Sequence, residues 1–163
     1  MYQRIVVPLD GSDLAEQALS AAEELARALN TPLHLIRVVD FPSSSFAYVY
    51  GAMVESQAAT AQFESERAMA ESYLDAIARS IEKTGLSVTT EVRPGIPVHE
   101  LVEAMKPGDL FVVATHGRSG MARWFLGSVA EEITRRATVP VLLVRTQAVG
   151  TGQRTNGTAK MST

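Results

Sequence analysis

Four short runs of nearly unbroken apolar residues limit what this chain can fold into. They are "RIVVPLD" (4–10), "PLHLIRVVD" (32–40), "LFVVA" (110–114) and "VPVLLVR" (139–145). A strand with one face in water alternates apolar and polar residues, whereas a run without alternation reads as a strand buried on both faces. Between the runs the periodicity is helical. Ser12 and Asp13 are N-cap types, and Leu14, Ala18, Ala22, Leu25 and Leu29 then share one stripe, which predicts a helix to Leu29. A second helix is expected from about Glu55 to Lys83, with Phe63, Ala70, Leu74, Ile77 and Ile81 inward and Gly85 just past its end. "SVTTEV" (87–92) does alternate and predicts a half-exposed edge strand. Pro97 suits the first turn of a helix whose apolar face is Val98, Leu101, Val102 and Met105. A last helix is expected from about Val129 to Ala137, with Arg135 and Arg136 placed favourably for its dipole. Strand and helix alternate throughout, which implies a parallel sheet with helices on both faces and right-handed crossovers.

The remaining bounds are broad. A chain of 163 residues, 46% apolar and 20% charged, is expected to form one ordinary domain, at residues 1–146. A net charge of -3 gives no general attraction to nucleic acid or to an anionic membrane, so neither is expected as a partner. There is no cysteine, hence no disulfide framework or thiolate metal site. The first residues, "MYQRIVVPLDGS", do not read as a signal peptide, and no run approaches the roughly 18 apolar residues of a membrane span. A soluble cytoplasmic location is expected. Residues 41–56 read as a long irregular insert, and the tail 147–163, "QAVGTGQRTNGTAKMST", as disordered.

The functional hint lies after the "LFVVA" run, in "THGRSGMARWFLGSVAEE" (115–132). In open parallel sheets ligands sit outside the carboxyl ends of the strands, where the strand order reverses. Asp10, Asp40 and this glycine segment all fall at such ends. Glycine lets a ligand approach the main chain, and successive N–H groups in a tight turn form an anion nest. The helix start near Val129 adds free N–H groups and a positive dipole end, Arg118 a charge and Ser119 a hydroxyl. A ligand-free reading fits the same residues. Ser128 and Glu131 form a capping box, Gly127 is a turn residue before it, and Gly117 and Gly120 shape a surface loop. No Walker A loop and no G-x-G-x-x-G fingerprint occurs. "KMST" (160–163) lies in the tail and is read as chance.

The chain resembles the universal stress proteins over about residues 2 to 146. The matching stretches, in order, are "RIVVPLDGS" (4–12), "LHLIRVVD" (33–40), "GIPVHELVEAM" (95–105), "DLFVVATHGRSG" (109–120) and "LGSVAEEITRRATVPVLLVR" (126–145). The ATP-binding branch of that family carries G-x2-G-x9-G-[S/T] after the fourth strand. Gly117, Gly127 and Ser128 fit it here, but Ala114 stands at its first position and leaves a methyl group where the ligand approaches. The resemblance implies an α/β fold: a doubly wound, Rossmann-like, five-stranded parallel sheet of order 3-2-1-4-5 with helices on both faces. It implies that Pro8, Leu9, Asp10, Val38, Val39, Val113 and Ala114 hold adenine and ribose. Gly117, Arg118, Ser119, Gly127, Ser128 and Val129 would hold the phosphates. ATP is the implied ligand; apart from the resemblance, Asp10 and Asp40 could share a Mg²⁺ ion with its phosphates, since such sites need little protein, and no metal site is assigned. AMP and a cyclic nucleotide stay open. Asp10 also reads as a turn or cap residue before Gly11 and Ser12. A homodimer closed by the last strand (139–145) is implied as well, against the alternative that this chain's own helices bury that strand.

Catalysis has little support in the residues. His34 is expected to pack within a strand and His99 to lie at the surface, leaving His116 beside the glycines as the single candidate base. No paired carboxylates or Ser–His–Asp order stands out. The leading reading is a nucleotide-binding stress-response regulator acting as a dimeric switch. A slow ATPase comes second. A non-binding dimeric scaffold of the same fold, or an adenylate-handling ligase of related architecture, follows.

Overall fold

In a computed structural model describing residues 1–40, 57–115 and 128–146, five parallel strands form one sheet. They are β1 (Arg4–Pro8), β2 (Leu33–Val39), β3 (Val88–Pro94), β4 (Asp109–Thr115) and β5 (Val141–Arg145), in the order β3-β2-β1-β4-β5. The expected order 3-2-1-4-5 is the observed one. β1 pairs with β2 on one side (Val6 beside His34) and with β4 on the other (Val6 beside Phe111). The chain runs outward from β1 to β2 and β3, then returns to add β4 and β5. The strand order therefore reverses between β1 and β4.

Each face of the sheet takes its own helices, because a strand's side chains alternate between faces. Ile5, Val7, Leu33, Leu35, Leu110 and Val112 form one cluster with α2 (Ala18–Leu29) and α3 (Gln57–Glu82). Val6, Ile36, Phe111 and Val113 form another with α4 (Pro97–Glu103) and α5 (Ser128–Arg136). The central strands are buried on both faces, as their unbroken apolar runs require.

The helices differ from expectation in instructive ways. The single helix expected from Ser12 to Leu29 is two: α1 (Asp13–Glu16), then α2, with the backbone tightened at Gln17, whose N–H donates to Leu14 three residues back. The seam of α2 against the sheet is Ala18, Ala22 and Ala26, while Leu29 is exposed. Small residues let the helix backbone approach closely, and Leu19 and Leu25 flank the seam. α2 ends at Asn30 in the left-handed region, with Thr31 N–H returning to the carbonyl of Ala26 and Asn30 N–H to that of Arg27. This pair of bonds is a Schellman ending. In α3 the expected Phe63, Ala70, Leu74 and Ile81 are buried, with Ala78 added and Ile77 half-buried. Pro97 opens α4 as expected.

β3 and β5 are the two sheet edges. β5 begins at Val141 rather than Val139. Pro140 has no N–H to give, although its carbonyl still accepts from Phe111 N–H. Val141 and Leu143 pack on the α4–α5 side and Val144 on the other, but Leu142 keeps 38% of its surface. At the amino ends of β1 and β4, Arg4 grips Asp109 through two hydrogen bonds of 2.7 and 2.9 Å. Asp109 is buried and also accepts from Lys106 N–H. The expectations for 41–56, 116–127 and the tail 147–163 lie outside the described residues. Among the described residues no helix is long and apolar enough to cross a membrane.

Candidate functional site

The reversal of strand order opens a crevice, because the crossovers leaving β1 and β4 go to opposite faces of the sheet. A cavity of about 380 Å³ lies at this point, on the α4–α5 side of the strand ends. Pro8, Leu9 and Asp10 line it from the end of β1, Ile36 and Val38 from β2, and Val113 and Ala114 from β4. Ser128, Val129 and Ala130, the first turn of α5, close another side, and Pro97 and Leu101 of α4 form a wall. Leu14 and Ala15 of α1 complete it. The volume lies within the range of small-molecule sites.

Eight residues named from the sequence thus meet around one cavity: Pro8, Leu9, Asp10, Val38, Val113, Ala114, Ser128 and Val129. Val39 does not join them. It packs instead with Phe63 and Ala70 of α3. Val38 packs on the α4–α5 side and its neighbour Val39 on the opposite face. Gly117, Arg118, Ser119 and Gly127, with His116, lie outside the described residues. The methyl group of Ala114 packs with the α2–α3 cluster, which directs it away from the α4–α5 side.

Among the described residues the lining is mostly apolar, with Asp10 and Ser128 as its polar side chains. One carboxylate oxygen of Asp10, Oδ1, accepts from the N–H of Ser12 at 2.9 Å and from its hydroxyl at 2.6 Å. Ser12 in turn caps α1 by accepting from Ala15 N–H. The turn role expected of Asp10 is real, and it uses Oδ1, while Oδ2 takes no hydrogen bond from another described residue. At the opposite side, the first N–H groups of a helix have no partner within it, so the start of α5 offers donors and a positive dipole end.

Two networks hold the walls. Arg93 on β3 binds Glu100 of α4 at 2.9 Å, and Glu100 also meets His99. Burial alone would raise Glu100, but the hydrogen bonds from Arg93 and His99 hold it below its ordinary value. The buried His34 meets Thr89 through Nδ1 at 2.8 Å and Glu91 through Nε2 at 3.0 Å. Burial, helped by the charge of Arg4, pushes the His34 pKa down and keeps the ring neutral. His34 and His99 therefore do the packing and surface work expected of them, away from the cavity lining. Asp10 and Asp40 gather no third metal-ligating side chain among the described residues.

The sequence reading did not name Ile36, Leu14, Ala15, Pro97, Leu101 or Ala130 as site residues. Ile36 carried a signal, since it stands two residues before Val38 and so shares its face. Leu101 carried only the signal of a core-facing stripe, and Pro97 only that of a first helical turn.

Over residues 1–145 the chain matches the Universal stress protein family. The universal stress protein MJ0531 of Methanocaldococcus jannaschii is 33% identical over 153 residues, covering 89% of this chain and 83% of that protein. Among solved structures, the universal stress protein UspA from Lactobacillus plantarum superposes with a TM-score of 0.71 at 24% identity, covering 88% of this chain and 98% of that one. A universal stress protein solved in complex with cAMP superposes with a TM-score of 0.57 at 28% identity, covering 90% of this chain and 98% of that one.

Proposed function

The chain belongs to the universal stress protein family, and from that premise we propose that its cavity binds an adenine nucleotide, ATP, as a regulatory ligand. What carries the reading is the meeting of three strand ends and a helix N-terminus around one apolar cavity. Adenine is flat and largely apolar, which suits a slot between Ile36, Val38, Val113 and Leu101. The carboxylate of Asp10 suits a ribose hydroxyl as donor. Phosphates would run toward Ser128 and Val129 at the start of α5, where unpaired N–H groups and the dipole favour negative charge. Gly117, Arg118, Ser119 and Gly127 would complete that cradle. Mg²⁺, where present, would arrive on the phosphates with Asp10 and Asp40 as the carboxylates at hand, since such sites need few protein ligands. The cAMP held by the 28% identical relative supports adenine nucleotides as the ligand class.

The regulatory part rests on the connection between cavity and edge. Val113 and Ala114 line the cavity and pair with Leu143 and Val144 of β5. In this reading β5 meets the same strand of a second chain, and nucleotide at the end of β4 reaches that interface through one strand pairing. Turnover is slow or absent, with His116→Ala leaving binding intact.

The test is calorimetry with ATP, AMP and cAMP on the wild type and on Gly127→Val. The wild type is expected to bind, ATP most tightly. The variant should lose binding with its melting temperature unchanged, because a branched side chain would stand where phosphate must sit. Unaltered affinity in the variant would overturn the phosphate assignment.

A further inference from the structure

Resting on that reading, we infer that Arg37, Tyr73 and Glu16 are positioning residues that fix the Asp10–Ser12 turn for recognition of ribose. The three lie beyond the cavity wall, on the other side of the sheet from α4 and α5. Arg37 is on β2 between Ile36 and Val38, so its side chain leaves the opposite face. Its guanidinium meets two groups. One is the ring of Tyr73, with Cζ 5.0 Å from the ring centroid. The other is Gly11, where an added Cβ would stand 3.1 Å from Nη1 and 3.3 Å from Nη2.

Gly11 has φ +89°, a conformation side chains resist, and a Cβ there would press on the guanidinium. Both facts call for glycine between Asp10 and Ser12.

The contacts close into a ring. Tyr73 donates its hydroxyl to Glu16 Oε1 at 2.9 Å. Burial, and then the bond to Glu16, raise the Tyr73 pKa, so the phenol keeps the proton that it donates. Glu16 ends α1, whose N-cap is Ser12, and Ser12 holds Oδ1 of Asp10 through both its N–H and its hydroxyl. Asp10 leads into Gly11, which rests on Arg37. The turn is thereby tied to β2 and to α3, elements far from it in sequence.

Two features argue for a role beyond packing. Among the described residues the Arg37 side chain makes no hydrogen bond or ion pair, and the contacts it shows are with the ring and the glycine. A half-buried arginine normally takes a carboxylate, and the carboxylate of Glu16 stands 2.9 Å from the hydroxyl of the same Tyr73. The ring also stiffens the one polar side chain that reaches the cavity from β1. A recognition group on a turn gains selectivity when a second layer of contacts fixes its direction.

The experiment uses the full chain with Arg37→Met and Tyr73→Phe, each alone and with Asp10→Asn. The ligands are ATP and 2′,3′-dideoxy-ATP. Each single variant should weaken ATP roughly five- to tenfold, the scale of coupling between contacting residues, and leave dideoxy-ATP unchanged. Both effects should vanish in the Asp10→Asn background. Equal losses for the two ligands, or none, would overturn the inference. A second readout needs no ligand: hydrogen exchange at the Ser12 amide, which donates to Asp10, should speed up in both variants while amides of β5 hold. Unchanged exchange at Ser12 would refute the positioning role even if the chain bound no ATP. Faster exchange in a chain that binds no ATP would instead sink the nucleotide reading and keep the ring as the support of this turn.

Discussion

Replacing Asp10 by Asn separates its two roles. The structure gives Oδ1 to Ser12, with bonds of 2.9 and 2.6 Å, and in the proposed site Oδ2 is the acceptor for ribose. Asn keeps an equivalent of Oδ1, so the turn and the cap of α1 persist and the melting temperature should hold. What Asn lacks is the charge and the second acceptor. Losing a hydrogen bond from ribose to a charged group costs about 1.5–3 kcal/mol, roughly 10- to 150-fold in Kd. Asp10→Ala removes both roles. Its stability loss should be about 1–2 kcal/mol for two exposed bonds, or roughly 2–8 °C in Tm for a domain of this size, added to the same loss of affinity. The assays are thermal unfolding and ATP titration calorimetry on the three proteins. If Asn binds ATP as tightly as the wild type while Ala is merely less stable, Asp10 is a turn residue and ribose is held elsewhere.

Three further outcomes follow from the same structure. Asp109→Asn should cost about 3–5 kcal/mol by leaving the half-buried Arg4 without its carboxylate, with ATP affinity unchanged because the pair sits at the amino ends of the strands. Urea unfolding with a loss under about 1 kcal/mol would contradict it. Stability should fall as pH drops. His34 has its pKa lowered below 6.5 in the fold, so the unfolded chain takes the proton first and stability is lost from about pH 6.5 downward. Glu91 and Glu100, both held below 4.5, add a second loss as pH falls through their lowered values. Denaturant midpoints that stay level from pH 7 to pH 4 would refute this assignment. Leu142→Lys, at the exposed position of β5, should turn the proposed dimer into monomer in sedimentation. A wild type that sediments as monomer at every concentration would remove the β5 interface.

The fold was legible because the central strands are buried on both faces, and such strands cannot hide their pattern. β3 was legible as an edge for the opposite reason, since Ser87, Thr89 and Glu91 alternate with Val88, Thr90 and Val92. What escaped was set by distance in space rather than by period. Ala18 and Ala22 of the α2 seam were readable, but the burial of Ala26 and the exposure of Leu29 depend on how the helix approaches the sheet, which periodicity alone does not report. The break at Gln17 follows from a short helix pinned at Ser12. In the site, the strand ends and the start of α5 were readable as a motif, but a motif does not carry parity. Strand alternation separates Val39 from Val38 and joins Ile36 to it. Pro97 and Leu101 enter only because α4 folds back over the strand ends, and the Arg37–Tyr73–Glu16 ring links residues up to 57 positions apart.

The most direct test of nucleotide binding in this cavity is methyl NMR of the full chain during titration with ATP. The methyl groups of Val38, Leu101, Val113 and Val129, all on the cavity wall, should shift together and saturate. Those of Ile77 and Ile81, on the opposite side of the sheet, should stay in place. No shift at millimolar ATP, or shifts centred on the α2–α3 side, would contradict the account.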